Sequence, residues 1–265
     1  PIGGLTQLHA LGLYDTDLKD VSFVAKLPLL EDLILGTNEI ADVKALAALA
    51  KLKRLDLSSN KITDISSLAN KEELSVLDIG SNSISSVGVL KTSPKLVNLD
   101  VSNNVSLRHA ELLSSPGLEF LDVRKTGLTD CAVLSDLVKL RELVMAQNEL
   151  SQINCLAKMS QLTLLNVQAN KIASLSGIED HKGLVTLIAS ANAIVDLSPL
   201  AALSNIETLN LAGNNIVSLV PLINLMKISS FRITANPISI MEGKNKTSCP
   251  TEESVSPAIR SFCQS

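Results

Sequence analysis

Aromatic residues are almost missing from this chain: of its 265 residues none is Trp, one is Tyr and four are Phe. The large rigid anchors that dominate tight protein interfaces are therefore scarce. Histidine is nearly as rare, and His9, His109 and His181 lie far apart, with no Cys, Asp or Glu partner at metal-ligand spacing. A glycine-rich phosphate loop and a serine nucleophile elbow are both missing. These absences point away from an enzyme and from a bound cofactor. Basic excess is also lacking. Lys and Arg number 23 against 27 Asp and Glu, the net charge is −4, and the dense basic surface that nucleic acid requires is excluded. Although 46% of residues are apolar, no run approaches the roughly 18 residues of a membrane span.

What the chain does have is a period. Leu-x-x-Leu-x-Leu-x-x-Asn, or a close variant, opens at Leu8 and recurs every 22 residues, at Leu30, Leu52, Leu74, Leu96, Leu118, Leu140, Leu162, Leu184, Ile206 and Ile228. A constant period of this length predicts a solenoid, in which each unit buries its apolar edge only by stacking on its neighbours. The first unit is entered in mid-repeat after Pro1, so the reading expects a signal peptide, cap or earlier repeats to have been removed upstream.

Within a unit, Leu55 and Leu57 alternate with Arg54, Asp56 and Ser58, the period of two of a short strand with one buried face. The equivalents of Leu52, Leu55 and Leu57 are apolar in every repeat. After the Asn the apolar spacing changes to three, at Ile62, Ile65 and Leu68, the period of a 3₁₀ or loosely helical return path. The Asn column holds Asn38, Asn60, Asn82, Asn104, Asn148, Asn170, Asn192, Asn214 and Asn236, with Thr16 and Thr126 as exceptions. An amide side chain offers donors and an acceptor to backbone groups that lose their partners where the strand bends. The column therefore predicts a buried ladder, weaker at the two threonines.

The pattern from Leu8 to Ile238 resembles the 22-residue class of leucine-rich repeats, which includes bacterial internalins and leucine-rich regulators of protein phosphatase 1. The stretch Asn192-Ala193-Ile194-Val195-Asp196-Leu197-Ser198-Pro199-Leu200 is especially similar to an internalin unit. The resemblance implies an α/β solenoid with a parallel concave sheet, over residues 1–242, and a partner read by the variable positions rather than by the scaffold.

Several places depart from the pattern. In repeat five Ser106 and His109 occupy apolar slots while Val105 and Leu107 flank them, which reads as a local bulge of the return path, with a functional kink as the other option. Lys71, Ser93 and Ser115 replace the last apolar residue of three successive return paths and read as a solvated convex face. Ala189 is small in a strand column of larger residues and implies a gap filled by a neighbour or a weak point. After Pro237 the repeat ends, and 243–265 is expected to form a C-terminal cap with helical turns started by Pro250 and Pro257.

Of the four cysteines, Cys249 and Cys263 bracket this cap and are expected to form a disulfide. The counterpart of Cys131 one repeat on is Ile153, not Cys155. A Cys131–Cys155 bridge therefore looks strained, and two separate thiols are favoured. Asn245-Lys246-Thr247 is a glycosylation sequon in the polar linker; Asn104-Val105-Ser106 is a second, but the buried ladder should withhold Asn104. A bridged cap favours a secreted protein or receptor ectodomain.

One column projecting from the concave face reads Ile34, Asp56, Asp78, Asp100, Asp122, Val144, Asn166, Ile188. Strands lie about 4.8 Å apart, so the four aspartates repel one another. Arg54 and Arg124 flank the row, and Phe120, Val144, Leu164 and Ile188 make the face beyond it apolar. Three readings stand: a solvated stripe inherited with repeat duplication, a binding surface for a protein with a basic patch, or a calcium site, the last disfavoured because one row cannot supply ligands from varied directions. The function expected is non-catalytic recognition of a protein ligand on the concave face, outside the cell. An intracellular scaffold similar to the phosphatase 1 regulators is the alternative.

Overall fold

The computed structural model describes residues 2–240 and 256–264. The chain folds as two compact units, Pro1–Gly127 and Leu128–Ser265. In the first, six strands of three residues follow one another: β1 (Ala10–Gly12), β2 (Asp32–Ile34), β3 (Arg54–Asp56), β4 (Val76–Asp78), β5 (Asn98–Asp100) and β6 (Phe120–Asp122). Each pairs in parallel with the next, every residue facing the one 22 positions later, as in Leu55 to Leu77. The second unit repeats the plan with β7 (Glu142–Val144), β8 (Leu164–Asn166), β9 (Thr186–Ile188), β10 (Thr208–Asn210) and β11 (Ser230–Arg232). Parallel strands need a crossover, and here it is a short 3₁₀ return such as Lys44–Ala48 or Cys131–Leu134. The fold is an α/β leucine-rich repeat solenoid with eleven parallel strands.

The strand leucines face inward and are completely covered, Leu55, Leu57, Leu143 and Leu165 among them. The return-path residues Val24, Leu46, Leu68, Leu134, Leu156 and Leu200 meet them from the other side at zero exposure. At about 25 cal/mol per Å² of apolar surface removed from water, stacking of such columns stabilises every interior repeat. Ala189 is likewise at zero exposure.

Just before each ladder position the chain turns through the left-handed region. Thr37, Ser59, Ser81, Asn103 and Lys125 in the first unit have φ of 52–55°, and Gln147, Ala169, Ala191 and Ala235 in the second have φ of 54–56°. Only Gly213 places a glycine in this column. The turn imposes the conformation and the side chains bear its steric cost.

Two expectations are corrected. Lys71, Ser93 and Ser115 do not form a solvated face: they are 2%, 3% and 6% exposed and fill the core slot that Leu27 and Leu49 occupy earlier. Lys71 threads its stem through this slot and donates from Nζ to Ala47 O at 3.0 Å, and burial pulls its pKa down. In repeat five Leu107, one residue late, takes the core place that Ser106 leaves, while Val105 is 68% exposed.

The second correction is the disulfide. Cys131 and Cys155 are bridged, with Cα atoms 5.8 Å apart, inside the ordinary range. Counting 22 residues missed it because the second residue of the 3₁₀ segment Asn154–Lys158 lies back over the preceding return path, an offset of 24. Glu111 uses the same offset to reach Val87 N at 2.8 Å. Cys263 is also disulfide-bonded. Cys249, with which the sequence pairs it, lies outside the described residues, as do Asn245, Pro250 and the boundary at 242/243.

Helix α1 (Pro237–Ile240) follows the last strand, and helix α2 (Pro257–Gln264) packs on β11. Ser256, at zero exposure, accepts Ile259 N–H on its hydroxyl at 3.4 Å, and Pro257 opens the first turn. Ile259 is fully covered and Phe262 meets Phe231 edge to face with centroids 6.1 Å apart.

Candidate functional site: the open face of the sheet

Ladder residues hold the strand ends in register. Asn60 Oδ1 accepts Ile40 N–H at 2.9 Å, and its Nδ2 donates to Leu35 O and Leu57 O, both at 3.0 Å. Asn38, Asn82, Asn104, Asn170, Asn192, Asn214 and Asn236 repeat this, each accepting an N–H from 20 residues earlier and donating to a carbonyl 25 residues earlier. Asn148 accepts Leu128 N–H at 3.0 Å and donates to Met145 O at 3.1 Å. Asn104 is at zero exposure, so its sequon is closed to a glycosylating enzyme. With both strand ends fixed, the side chains facing out of the sheet stand at defined spacing.

In the first unit those side chains are the aspartates. Asp56 is the direct register partner of Asp78, Asp78 of Asp100, and Asp100 of Asp122. Each carboxylate turns back on its own strand and accepts the N–H two residues on: Ser58 at 2.9 Å, Gly80 at 2.9 Å, Ser102 at 2.8 Å and Arg124 at 2.8 Å. Those N–H groups point out of the ladder, so the carboxylates cap them. Asn166 and Asn210 make the same bond in the second unit, to Gln168 at 3.1 Å and Ala212 at 3.2 Å. An amide therefore satisfies the backbone as a carboxylate does, and four adjacent charges exceed what capping requires. Gly36 and Gly80 leave room beside the row: a Cβ at Gly36 would meet Asp56 Oδ1 at 3.0 Å, and one at Gly80 would meet Asp100 Oδ1 at 3.1 Å.

Charge in the row is poorly compensated. Arg124 Nη2 pairs with Asp122 Oδ2 at 2.7 Å and covers it to 3% exposure, whereas Arg54 stands exposed. Burial, followed by repulsion from Asp100, Asp56 and Asp122, pushes Asp78 up to about 6, its bond from Gly80 opposing. Asp122 is pushed up to about 6 by burial first and Asp100 next, its bonds and ion pair with Arg124 opposing. Among the described residues no group of three or more His, Cys, Asp and Glu side chains is arranged to hold a metal ion.

Phe120 stands half-buried on the first unit's face, on the same strand as Asp122. In the second unit Val144, Leu164 and Ile188 are half-buried on the open face, with Thr186 and Thr208 beside them. Sequence reasoning missed the capping role of the aspartates, which the recurrence of Asn166 and Asn210 in the same column could have signalled.

Three-residue parallel strands paired every 22 residues and presenting one open face are the architecture of a repeat protein. Family models described as "Leucine Rich repeats (2 copies)" and "Leucine rich repeat" match residues 28–70 and 50–105. Across residues 28–105 the chain matches the leucine-rich repeat family. Among solved structures it is similar to an internalin of Listeria monocytogenes, at 29% identity and TM-score 0.86, over 89% of this chain and 70% of that one. It also resembles a leucine-rich repeat protein of Leptospira interrogans, at 24% identity and TM-score 0.82, over 92% of this chain and 64% of that one. A plant peptide hormone receptor, RGFR1, solved in complex with RGF2, shares the fold at 20% identity and TM-score 0.66, this chain spanning 45% of it. A search of curated proteins gives no match. Among the described residues no helix is long and apolar enough to cross a membrane.

Proposed function

We propose that the chain is a non-catalytic, extracellular recognition module whose sheet face binds a protein, and that the aspartate row of the first unit receives a basic patch of that partner. The observation that carries this reading is the row itself: four carboxylates in direct register, with one guanidinium pairing the last of them. Like charges on neighbouring strands cost stability, and amides at Asn166 and Asn210 serve the same backbone N–H groups without that cost. A cationic partner turns the cost into attraction and speeds encounter at low salt. Phe120, half-buried on the same strand as Asp122, supplies apolar contact area beside the row.

Support for the extracellular setting comes from the Cys131–Cys155 bridge, since disulfides persist in oxidising compartments, and from the likeness to an internalin and to a plant hormone receptor. The test uses a decalysine peptide as a stand-in for a basic patch. Wild-type protein should bind it with an affinity that falls steeply with salt. The variant with Asp56, Asp78, Asp100 and Asp122 all changed to Asn should lose most of that binding while keeping its fold by circular dichroism. Equal binding by the two proteins at every salt concentration would end the proposal.

A further inference from the structure

The return path between β8 and β9 is unlike the others among the described residues: it is built of turns and contains no 3₁₀ helix. It opens at Gly177, with φ +107°, where a Cβ would lie 2.6 Å from Asn154 Cα and 2.9 Å from Ile153 O. Four residues on, His181 enters the core slot that Met159 fills one repeat earlier and Leu203 one repeat later. The side chain is 1% exposed, and neither Nδ1 nor Nε2 has a hydrogen-bond partner among the described residues. The backbone of the turn is satisfied locally, by His181 N–H to Ile178 O at 3.0 Å and Leu184 N–H to His181 O at 2.9 Å. The imidazole is thus packed in the core column without a well-formed hydrogen bond, an arrangement that costs less for the neutral ring than for the cation.

Charges around the ring do little to alter this. Its own turn brings Glu179 and Asp180, both exposed, and Lys182. The Glu179 carboxylate is engaged by Gly177 N–H at 2.7 Å. The preceding 3₁₀ segment Asn154–Lys158 contributes Lys158, and the following Ser198–Leu200 carries no titratable group. Burial is the largest influence and lowers the His181 pKa below 6.5, opposed in part by the Leu156 and Ile178 backbone and by Asp180 and Glu179.

We propose that the 177–183 return turn is a proton-driven latch: uptake of one solvent proton by His181 releases the turn from the core column while neighbouring repeats stay folded. Solenoids open locally because each repeat is held only by its neighbours. The open turn holds the proton more readily than the closed one, so closure is fully stable above pH 6.5 and weakens as pH falls below it. Each pH unit below that point favours opening by up to about tenfold, until the closed-state pKa is reached.

Hydrogen exchange read by mass spectrometry on the full chain, at pH 7.5 and 5.5 with intrinsic rates corrected, tests the latch. Peptides spanning 176–184 should open about tenfold more at pH 5.5 while those covering β10 and β11 hold. His181→Leu should abolish the difference, and His181→Met, matching Met159, serves if the leucine variant folds poorly. An acid response retained in the variant overturns the proposal, as does a wild-type turn indifferent to pH. So does a His181 ring that titrates at or above 6.5 by NMR in the closed protein.

Discussion

His109 Nε2 lies 2.9 Å from Thr126 Oγ, and this bond joins two departures from the repeat into one feature. Thr126 stands where the ladder has Asn, and its hydroxyl donates to Val123 O at 2.8 Å. With the hydroxyl directed at Val123 O, its oxygen accepts from the ring in the tautomer protonated on Nε2. His109 occupies a slot that is Val43, Ile65 and Val87 in earlier repeats. A ring in that slot reaches the place an Asn amide would have filled.

The pair should behave as a unit. His109→Phe and Thr126→Val are each expected to cost about 1–2 kcal/mol, and the double variant less than their sum, with a coupling of about 1 kcal/mol. Denaturant midpoints of the four proteins measure it. Strict additivity would remove the bond from the account.

Ladder positions differ in burial, and their costs should follow. Asn104 is fully covered, whereas Asn170 is partly exposed. Asn170→Ala should cost about 1–3 kcal/mol, because it frees Leu150 N–H and the carbonyls of Met145 and Val167. Asn104→Ala should lie at or above the top of that range, since water cannot replace the amide. Thermal midpoints that do not move in either variant would contradict a buried ladder.

The column before the ladder gives a change of opposite sign. Ala191 sits at φ 54° and is exposed. Ala191→Gly should stabilise by about 0.5–1 kcal/mol, as glycine adopts this region without a Cβ clash, and Ala191→Val should destabilise by at least as much. Gly213 already occupies the equivalent turn one repeat on. Unfolding midpoints ranked Gly above Ala above Val would bear out the turn as drawn.

Most of the scaffold was legible because a 22-residue period and an apolar slot at each strand position leave one architecture open. Lys71, Ser93 and Ser115 are illegible by residue type, which points to exposure; the repeat dictates the slot, and Lys71 meets it by burying its stem and bonding Ala47 O. The Cys131–Cys155 bridge was hidden because register counts strands, whereas the 3₁₀ return shifts neighbours to an offset of 24. The aspartate row could be read as a row. That each carboxylate caps an N–H two residues on depends on a side-chain turn that no spacing encodes.

The row should leave a mark on stability against pH. Asp78 and Asp122 have folded pKa values raised to about 6 from 3.8, so the folded state holds protons that the unfolded state has lost between those values. The destabilisation is full above pH 6 and is relieved as pH falls toward 4. Asp78→Asn should therefore stabilise at pH 7.5 by about 1–3 kcal/mol and hardly at all at pH 4. His109 and His181, both lowered from 6.5 by burial, act with the other sign and weaken the fold as pH drops below that value. Urea midpoints at pH 7.5, 6 and 4 on wild type and Asp78→Asn separate the two, because only the difference between the proteins reports the aspartate.

Cys131–Cys155 links return paths 24 residues apart, and the same bond tests where the protein works. Closing a loop of that length removes unfolded-state entropy worth about 3 kcal/mol. Changing both residues to Ala should lower stability by that order, and wild type treated with reductant should fall toward the variant. Cys131 is 1% exposed and Cys155 half-buried, so a reductant has access only from the Cys155 side, and reduction should quicken with mild denaturant. Protein taken from its native source, alkylated without reduction and weighed intact, should carry no label on Cys131 or Cys155. Full labelling of both would place the chain in a reducing compartment and favour the intracellular scaffold over the secreted module.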